Sequence, residues 1–296
     1  MTRLGRGAFG SVYLMPDHTV QKYMSVAQER NLRMFKREVA ILRFLKHPNV
    51  IAYIDADIVG ETGILVTEYA YGETVDKWVY AHMGDNALRH ILWFPFSQTL
   101  LNALEYLHTQ RVHHLDLKPN NIMVYPEKRC LKLIDFGLSC GRSYSQYPDG
   151  HAGQHDDPWA EHDEACGTPG TTTRYTPWYD EKNLAPSELR YIDLYMAGGI
   201  LHFWWFGDAP YQDVENPFAW LYFMKERVQD PYTPTIAAIN EESAPEIDSE
   251  DRHSARVALQ YLLCNRRVGD CTQGQSILLP PFLKVLAPEE SLWMQS

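Results

Sequence analysis

The sequence predicts an α+β fold, in which a small antiparallel β-sheet with one helix precedes a larger and mainly helical part. Strand-like runs separated by turn residues dominate the N-terminal part of the chain, up to position 69. Later positions carry leucines in helical register, at 100, 101, 104 and 107. With 296 residues, of which 45% are hydrophobic, the chain is long enough for one large domain or for two lobes with cores of their own.

Charge and composition narrow the range of partners. Lys and Arg number 27 against 38 Asp and Glu, and the net charge of −11 disfavours nucleic acid or an anionic membrane and fits basic or neutral protein substrates better. The cysteines are odd in number and lack a Cys-x-x-Cys pair, which favours a reducing compartment. No leader is visible after Met1, and the longest nearly apolar run, residues 196–206, is too short to span a bilayer. We therefore expect no nucleic-acid partner and no membrane insertion.

The N-terminal glycines have the spacing Gly-x-Gly-x-x-Gly, at Gly5, Gly7 and Gly10. A dinucleotide-binding fingerprint with this spacing needs a helix after its third glycine. Residues 11–14 instead have the composition of a second strand, which leads through a turn to a third. The motif is also compatible with an ordinary glycine hairpin. In either case the missing side chains would let backbone amides approach a ligand.

A lysine and a glutamate near this sheet are expected to form a pair. Lys22 lies in the third predicted strand. In the helix that follows, Phe35 and Leu42 share one apolar stripe, and Glu38 falls on the same face. Because a carboxylate on an inward face is costly unless it is paired, we expect Lys22 to be its partner. Glu29 is the competing acid, and its helical register is poorer.

The remaining elements follow from the same patterns. Residues 50–58 and 63–69 have the composition of two further strands. A short helix is predicted over residues 75–82, and a longer one over residues 94–108. Pro95 would lie in the first turn of the longer helix, where the missing N–H costs little.

A polar loop, residues 113–121, is the candidate site. It places Asp116, Lys118 and Asn121 at fixed offsets between the longer helix and a predicted β-hairpin that ends at Asp135. A carboxylate can orient a hydroxyl group and accept its proton, and an ammonium group can neutralise a transferring phosphoryl group. An amide oxygen and a carboxylate that face each other can ligate Mg²⁺.

The motif His-x-Asp-x-Lys-x-x-Asn, together with Asp135-Phe-Gly fourteen residues after Asn121, resembles the catalytic loop and the metal-binding motif of the protein kinase family. The glycine spacing and the expected lysine–glutamate pair resemble the same family. The resemblance implies a bilobal protein kinase fold that forms a single domain over residues 1–296. Its parts would be an N-lobe at 1–67, a hinge at 68–72, a C-lobe at 73–296 and an activation segment at about 135–181.

The resemblance also implies roles for individual residues. The catalytic group would be Asp116, which orients the hydroxyl, Lys118, which neutralises charge, Lys22, which holds phosphates, and Glu38, which holds Lys22. The ATP-binding positions would be Gly5, Gly7, Gly10, Val12, Lys22 and the backbone of Glu68 and Ala70, with Thr67 at the gatekeeper position. The Mg²⁺ ligands would be Asn121 and Asp135. Asp193 resembles the family's buried aspartate that holds the catalytic-loop backbone.

The chain departs from the family pattern at two positions. Leu115 stands where an arginine commonly precedes the catalytic aspartate and pairs with a phosphorylated activation-loop residue. We therefore expect activity that does not depend on activation-loop phosphorylation. Trp178 replaces the acid of the Ala-Pro-Glu motif, and Glu181 is a candidate substitute whose partner would be Arg266 or Arg267.

The polar segment 138–176 contains His151, His155, His162 and Cys166, which invite comparison with a metal site. Their spacing has no tetrahedral signature, so we expect a solvated loop. This segment would correspond to the activation segment of the family.

We expect a Ser/Thr protein kinase that uses ATP and Mg²⁺ to phosphorylate protein substrates, because Lys118 and Thr168 resemble the pattern of that class. The alternative is a pseudokinase-type nucleotide-binding or scaffold module, which Leu115 and Trp178 suggest. A small-molecule phosphotransferase fits less well, since those enzymes commonly lack the glycine-rich motif. The short turn between the second and third strands resembles compact viral kinases. We expect a cytoplasmic or nuclear location, in the host cell for a viral protein, and the oligomeric state stays open.

Overall fold

The computed structural model describes residues 1–7, 10–128, 130–141 and 186–209, together with positions 253, 255, 258, 259, 262 and 263. Within these residues a five-stranded antiparallel sheet precedes a mainly helical part, which confirms the predicted α+β fold. The expectations for residues 142–176 lie outside the described residues, as do those for Trp178, Glu181, Arg266 and Arg267.

The N-terminal sheet carries Lys22 near its centre. Its strands are β1 (Thr2–Gly7), β2 (Gly10–Leu14), β3 (Thr19–Ser25), β4 (Tyr53–Val59) and β5 (Thr62–Glu68). They are arranged in the order β1-β2-β3-β5-β4. Because β3 pairs with both β2 and β5, Lys22 lies opposite Val12 on one side and Leu65 on the other.

Helix α1 (Glu29–Phe44) packs against strands β3, β4 and β5 of this sheet. Its inner face includes the buried ring of Phe35 and the carboxylate of Glu38, which is only 2% exposed. The competing acid, Glu29, lies at the exposed start of the helix and pairs with Arg33 at 2.7 Å. The helical register therefore directs Glu38, and not Glu29, toward the sheet.

Between residues 73 and 209, the described part of the chain combines three α-helices with short strands. The helices are α2 (Val75–Ala81), α3 (Asn86–Thr109) and α4 (Pro186–Phe206). The strands are β6 (Glu73–Thr74), β7 (Val112–His113), β8 (Ile122–Tyr125), β9 (Cys130–Leu133) and β10 (Cys140–Gly141). Strands β6, β8 and β9 form one small sheet, and β7 pairs with β10. The predicted hairpin before Asp135 is thus present as β8 and β9.

The predicted start of helix α3 was wrong. It begins at Asn86, eight residues before the predicted start, because the Asp85 carboxylate caps it by accepting the backbone N–H of Leu88 at 3.0 Å. Pro95 consequently lies inside the helix and not in its first turn. Proline removes one intrahelical hydrogen bond there, and burial of the surrounding residues, such as the fully enclosed Trp93, offsets this cost.

Helix α4 is buried, as its apolar composition predicts. Trp204 stacks between Trp78 and Phe96, with ring centroids 4.4 and 4.0 Å away. Arg89 of α3 donates hydrogen bonds to the carbonyl oxygens of Trp204 and Trp205 at 2.9 and 2.8 Å, which supplies positive charge to the C-terminal end of α4. No helix of the described residues is long and apolar enough to cross a membrane.

Candidate active site

The backbone of the polar loop 113–121 is anchored by a buried carboxylate of α4. Asp193, which is fully buried, accepts the backbone N–H groups of His114 and Leu115 at 2.9 and 2.8 Å. Its Oδ2 also accepts a hydrogen bond from His108 Nε2 at 2.9 Å. Leu115 adopts a left-handed backbone conformation with φ of 59°, which the two anchoring bonds maintain.

Burial alone would raise the pKa of the Asp193 carboxyl. The hydrogen bond from His108 and the positive charge of the neighbouring histidines outweigh burial, and the pKa lies below its usual value. Asp193 is therefore ionised at neutral pH, and as an anion it accepts all three N–H groups. The anchor of the loop is a charged group inside the core.

The three polar residues of the loop form one hydrogen-bonded group. Lys118 Nζ donates to Asp116 Oδ2 at 2.8 Å. The Asn121 amide donates to the Asp116 carbonyl oxygen at 2.8 Å and to its Oδ2 at 2.9 Å. Asp116 is 8% exposed, so its carboxylate is held in one orientation with little solvent around it. Such a carboxylate is suited to orient a hydroxyl group.

Lys22 joins two carboxylates from different parts of the chain. Its Nζ lies 2.8 and 3.0 Å from the two oxygens of Glu38, on α1, and 2.8 Å from Asp135 Oδ1, which follows β9. The Glu38 side chain is 2% exposed and that of Lys22 is 14% exposed, whereas that of Asp135 is 39% exposed. The expected pairing of Lys22 with Glu38 is thus present, and the contact with Asp135 was not predicted.

The charges of this group act on one another. Burial lowers the pKa of Lys22, but the adjacent Glu38 and Asp135 carboxylates outweigh it, and the pKa lies above its ordinary value. Burial raises the pKa of Glu38, and the Lys22 ammonium only partly opposes this. For Asp135 burial also acts upward, but Lys22 prevails and the pKa is lowered. Lys22 is therefore a permanent cation at the centre of the site.

Gly137 makes room for this cluster. A Cβ atom at this position would lie 3.3 Å from Asp135 Oδ1, 3.4 Å from Lys22 Nζ and 3.5 Å from Glu38 Oε2. Asp135 itself has a φ of 61°, a conformation that non-glycine residues adopt rarely. The turn after β9 thus brings its carboxylate to the lysine through an unusual backbone conformation.

The three glycines of the N-terminal motif have different surroundings. Gly7 and Gly10 pair across β1 and β2. Gly10 has a φ of 147°, and a Cβ atom there would collide with the carbonyl oxygen of Tyr23 on β3. At Gly5 no atom of the described residues, apart from its chain neighbours, lies within 4 Å of the Cβ position, so a ligand has space to approach. Gly10 is thus required by the sheet itself, which the sequence motif did not indicate.

The end of β5 and the residues directly after it include the positions expected at the hinge. Glu68 Oε1 accepts the backbone N–H of Ala52 at 2.8 Å and lies 2.7 Å from Lys132 Nζ, so its side chain is engaged by other residues. Its carbonyl oxygen accepts a hydrogen bond from the Thr67 hydroxyl at 3.2 Å. Ala70 is buried two residues further on. The roles of Lys132 and His108 were missed by the sequence analysis, because neither belongs to a recognisable motif.

Comparison with known proteins agrees with this geometry. The family model described as protein kinase domain matches residues 1–212. CBL-interacting protein kinase 28 of Oryza sativa subsp. japonica is 31% identical over 178 residues, which are 56% of this chain and 37% of that protein. Serine/threonine-protein kinase nekl-2 of Caenorhabditis elegans is 32% identical over 154 residues, 46% of this chain and 42% of that protein.

The similarity extends to much longer proteins. Serine/threonine-protein kinase 36 of Pongo abelii is 31% identical over 143 residues, which are 46% of this chain but only 10% of that protein. The chain thus spans less than half the length of these curated relatives. The match to the family model includes the sheet, α1, the loop anchored by Asp193 and the Lys22 cluster. This chain belongs to the protein kinase family.

Proposed function

We propose that this chain is a protein serine/threonine kinase, which transfers the γ-phosphoryl group of ATP to a protein hydroxyl with the aid of Mg²⁺. The observation that carries the proposal is the contact of Lys22 with both Glu38 and Asp135. These residues come from β3, α1 and the turn after β9. Their meeting brings a cation that can hold phosphates next to a carboxylate that can hold a metal ion.

The oxygen atoms at the site fit a magnesium ion. Asn121 uses its amide nitrogen for both contacts with Asp116, and its Oδ1 has no hydrogen bond within the described part of the chain. Asp135 uses Oδ1 for Lys22, and its carboxylate is partly exposed. An amide oxygen and a carboxylate oxygen are ligands that Mg²⁺ accepts. When bound, the ion supplies positive charge beside the phosphates of ATP.

The side chains of the chain then divide the work of phosphoryl transfer. Lys22 holds the phosphates, and Glu38 keeps its ammonium group in place. Asp116 orients the attacking hydroxyl and accepts its proton. Lys118, already 2.8 Å from Asp116, neutralises charge that develops on the transferring group. Because phosphoryl transfer depends mainly on positioning and electrostatics, these fixed groups are the chemistry that the protein must supply.

ATP is proposed to bind between the glycine motif and the segment after β5. The open space beside Gly5 supports an approach of phosphates to β1 and β2, and Val12 lies directly across from Lys22. In this proposal the backbone groups of Glu68 and Ala70 face the adenine edge. The Glu68 side chain is held by Lys132, which keeps it out of that space.

The choice of serine and threonine over tyrosine rests on two supports. Lys118 follows Asp116 by two positions and is bonded to it. Two of the relatives described above carry the words serine/threonine-protein kinase in their names. If phosphotyrosine were the main product on a mixture of protein substrates, this assignment would be wrong.

The decisive experiment measures phosphate transfer from Mg²⁺-ATP to a generic basic protein. The parent chain is compared with Asp116→Asn and Lys22→Met, and with Lys77→Met, which removes an exposed lysine of α2, as the matched control. We expect transfer by the parent and the control, and a loss of about 100-fold or more in the other two variants. Equal activity in all four proteins would refute the proposed site.

A further inference from the structure

Two histidines and the loop anchor form a buried cluster behind the candidate active site. His108 lies in the last turn of α3, His113 in β7 and Asp193 in α4, with exposures of 9%, 1% and 0%. One nitrogen of each imidazole and one carboxylate oxygen all lie within 4.8 Å of one another. The two rings are 5.2 Å apart and tilted by 32°. Neither imidazole has a part in the phosphoryl transfer proposed above.

The hydrogen bonds of this cluster argue against a metal ion bound to it. The Asp193 carboxylate already accepts three N–H groups, from His108 Nε2, His114 N and Leu115 N. His108 Nε2 lies 2.9 Å from the carboxylate oxygen, so no ion fits between them. A cation would have to displace the bonds that anchor the loop.

The number of positive charges in the cluster depends on pH. One protonated imidazole beside one carboxylate leaves the buried cluster neutral. A second proton gives two adjacent imidazolium groups beside a single carboxylate, and like charges at this separation repel in a poorly solvated interior. The groups that act electrostatically on Asp193 are His108 from α3, His113 from β7 and His114 from the loop. His114 lies on another side, against Phe136 at 4.8 Å, and β10 contributes the buried Cys140 opposite His113.

We propose that His113 is a positioning residue whose protonation loosens the hold of Asp193 on the loop, so that phosphoryl transfer declines as the pH falls. The activity part of this inference rests on the proposed function. The second imidazolium competes with the backbone N–H groups of His114 and Leu115 for the carboxylate. Asp116, one residue beyond Leu115, loses its fixed orientation when those two bonds weaken.

The test combines a structural readout with a kinetic one. In the first, NMR follows the backbone amides of His114 and Leu115 between about pH 8 and pH 5.5, a range that spans imidazole titration. We expect both amide signals of the parent to shift as the pH falls, and those of His113→Leu to stay nearly constant. In the second, kcat is measured over the same range. Its acid limb is expected about one pH unit lower in His113→Leu than in the parent, with an unchanged KM for ATP.

His202→Leu is the matched control, because it also removes a buried imidazole, in this case from α4. Burial lowers the pKa of His202 to about 4, so this imidazole stays neutral over the range of the test. It should retain the parent's amide titration and acid limb. His113→Gln, a neutral polar replacement, repeats the test if the leucine variant does not fold. Identical amide titrations and acid limbs in the parent and the His113 variants would overturn the inference. Amide titration of the expected kind in a parent that transfers no phosphate would uphold it and refute the proposed function instead.

Discussion

Glu38 is a carboxylate with almost no access to solvent, and its cost is offset by one partner. Lys22 donates to both of its oxygens, at 2.8 and 3.0 Å. A buried ion pair adds little net stability, but it fixes both groups in space. In this chain the fixed group is the lysine that also contacts Asp135. The pair is therefore more important for the geometry of the site than for the free energy of unfolding.

Replacing Glu38 by glutamine tests this view. Glu38→Gln keeps the size of the side chain but removes the charge that holds Lys22, so the ammonium group is free to shift toward Asp135. We expect kcat for protein phosphorylation to fall by about 10- to 100-fold, the effect typical of a misplaced catalytic group. Steady-state kinetics with Mg²⁺-ATP would measure it.

Glu29→Gln is the control for this variant. Glu29 belongs to the same helix, its side chain is 82% exposed and it pairs only with Arg33 among the described residues. Exposed ion pairs of this kind contribute little to the stability of the folded protein. We expect its kcat to stay within about twofold of the parent, since the pair is remote from the site. A similar loss in both variants would show that α1 is sensitive to any charge change, and not to the Lys22 partner in particular.

Helix α4 is stabilised by two side chains that have no role in the proposed phosphoryl transfer. Arg89 caps its last carbonyl groups, and His202 Nδ1 donates to the Asp208 carbonyl oxygen at 2.9 Å. Burial lowers the pKa of His202 to about 4. The imidazole is therefore neutral in the folded protein at any pH above this value.

The low pKa of His202 predicts a loss of stability in acid. In the unfolded chain this histidine binds a proton below about pH 6.5, whereas in the folded chain burial prevents protonation until about pH 4. The stabilisation is complete above the upper value and is lost as the pH falls toward the lower one. Between pH 7 and pH 5 we expect His202 to lower the free energy of unfolding by about 2 kcal/mol.

Urea unfolding of the parent and of His202→Leu at these two pH values measures this contribution. The leucine variant lacks the hydrogen bond to Asp208 and is expected to be less stable at pH 7. Its stability should depend less on pH than that of the parent, by about the same 2 kcal/mol. An equal decline in both proteins would mean that His202 is protonated in the folded state.

At the scale of the whole molecule, the loop 113–121 is anchored to α4 and has a leucine where protein kinases commonly have an arginine. Leu115 is 4% exposed, and its backbone N–H donates a hydrogen bond to the Asp193 carboxylate. The loop therefore obtains its order from α4, inside the core, and an apolar side chain offers no charge to a phosphate group. In kinases whose activation loop is ordered by phosphorylation, an arginine at this position pairs with the phosphate group, and Leu115 cannot form that pair.

We predict that removal of phosphate from the purified protein leaves its activity within about twofold, because no phosphate-binding arginine is present beside Asp116. The measurement is phosphate transfer before and after treatment with a nonspecific phosphatase, with mass spectrometry to verify that phosphate has been removed. Loss of activity together with loss of phosphate would contradict the prediction.

The sequence by itself determined the order of the main helices and strands in the described residues, and it predicted the polar groups of the candidate site. The periodicity of α1 was sufficient to direct Glu38 inward, and the fixed offsets of Asp116, Lys118 and Asn121 were sufficient to identify the loop. These features are local, so they are visible in a short window of sequence. The same local reasoning failed at α3, where a proline suggested a helix start although burial permits it inside the helix.

Other contacts between distant groups were decided only by the tertiary structure. The contact of Lys22 with Asp135 joins positions 113 residues apart and depends on a positive φ that no motif specifies. The family resemblance predicted that Asp193 holds the backbone of the loop, as it does at Leu115, but no motif indicated that His108 and His113 lie within 4.8 Å of the same carboxylate. Such contacts arise from the packing of helices and strands around a common core, and packing is a property of the folded chain as a whole.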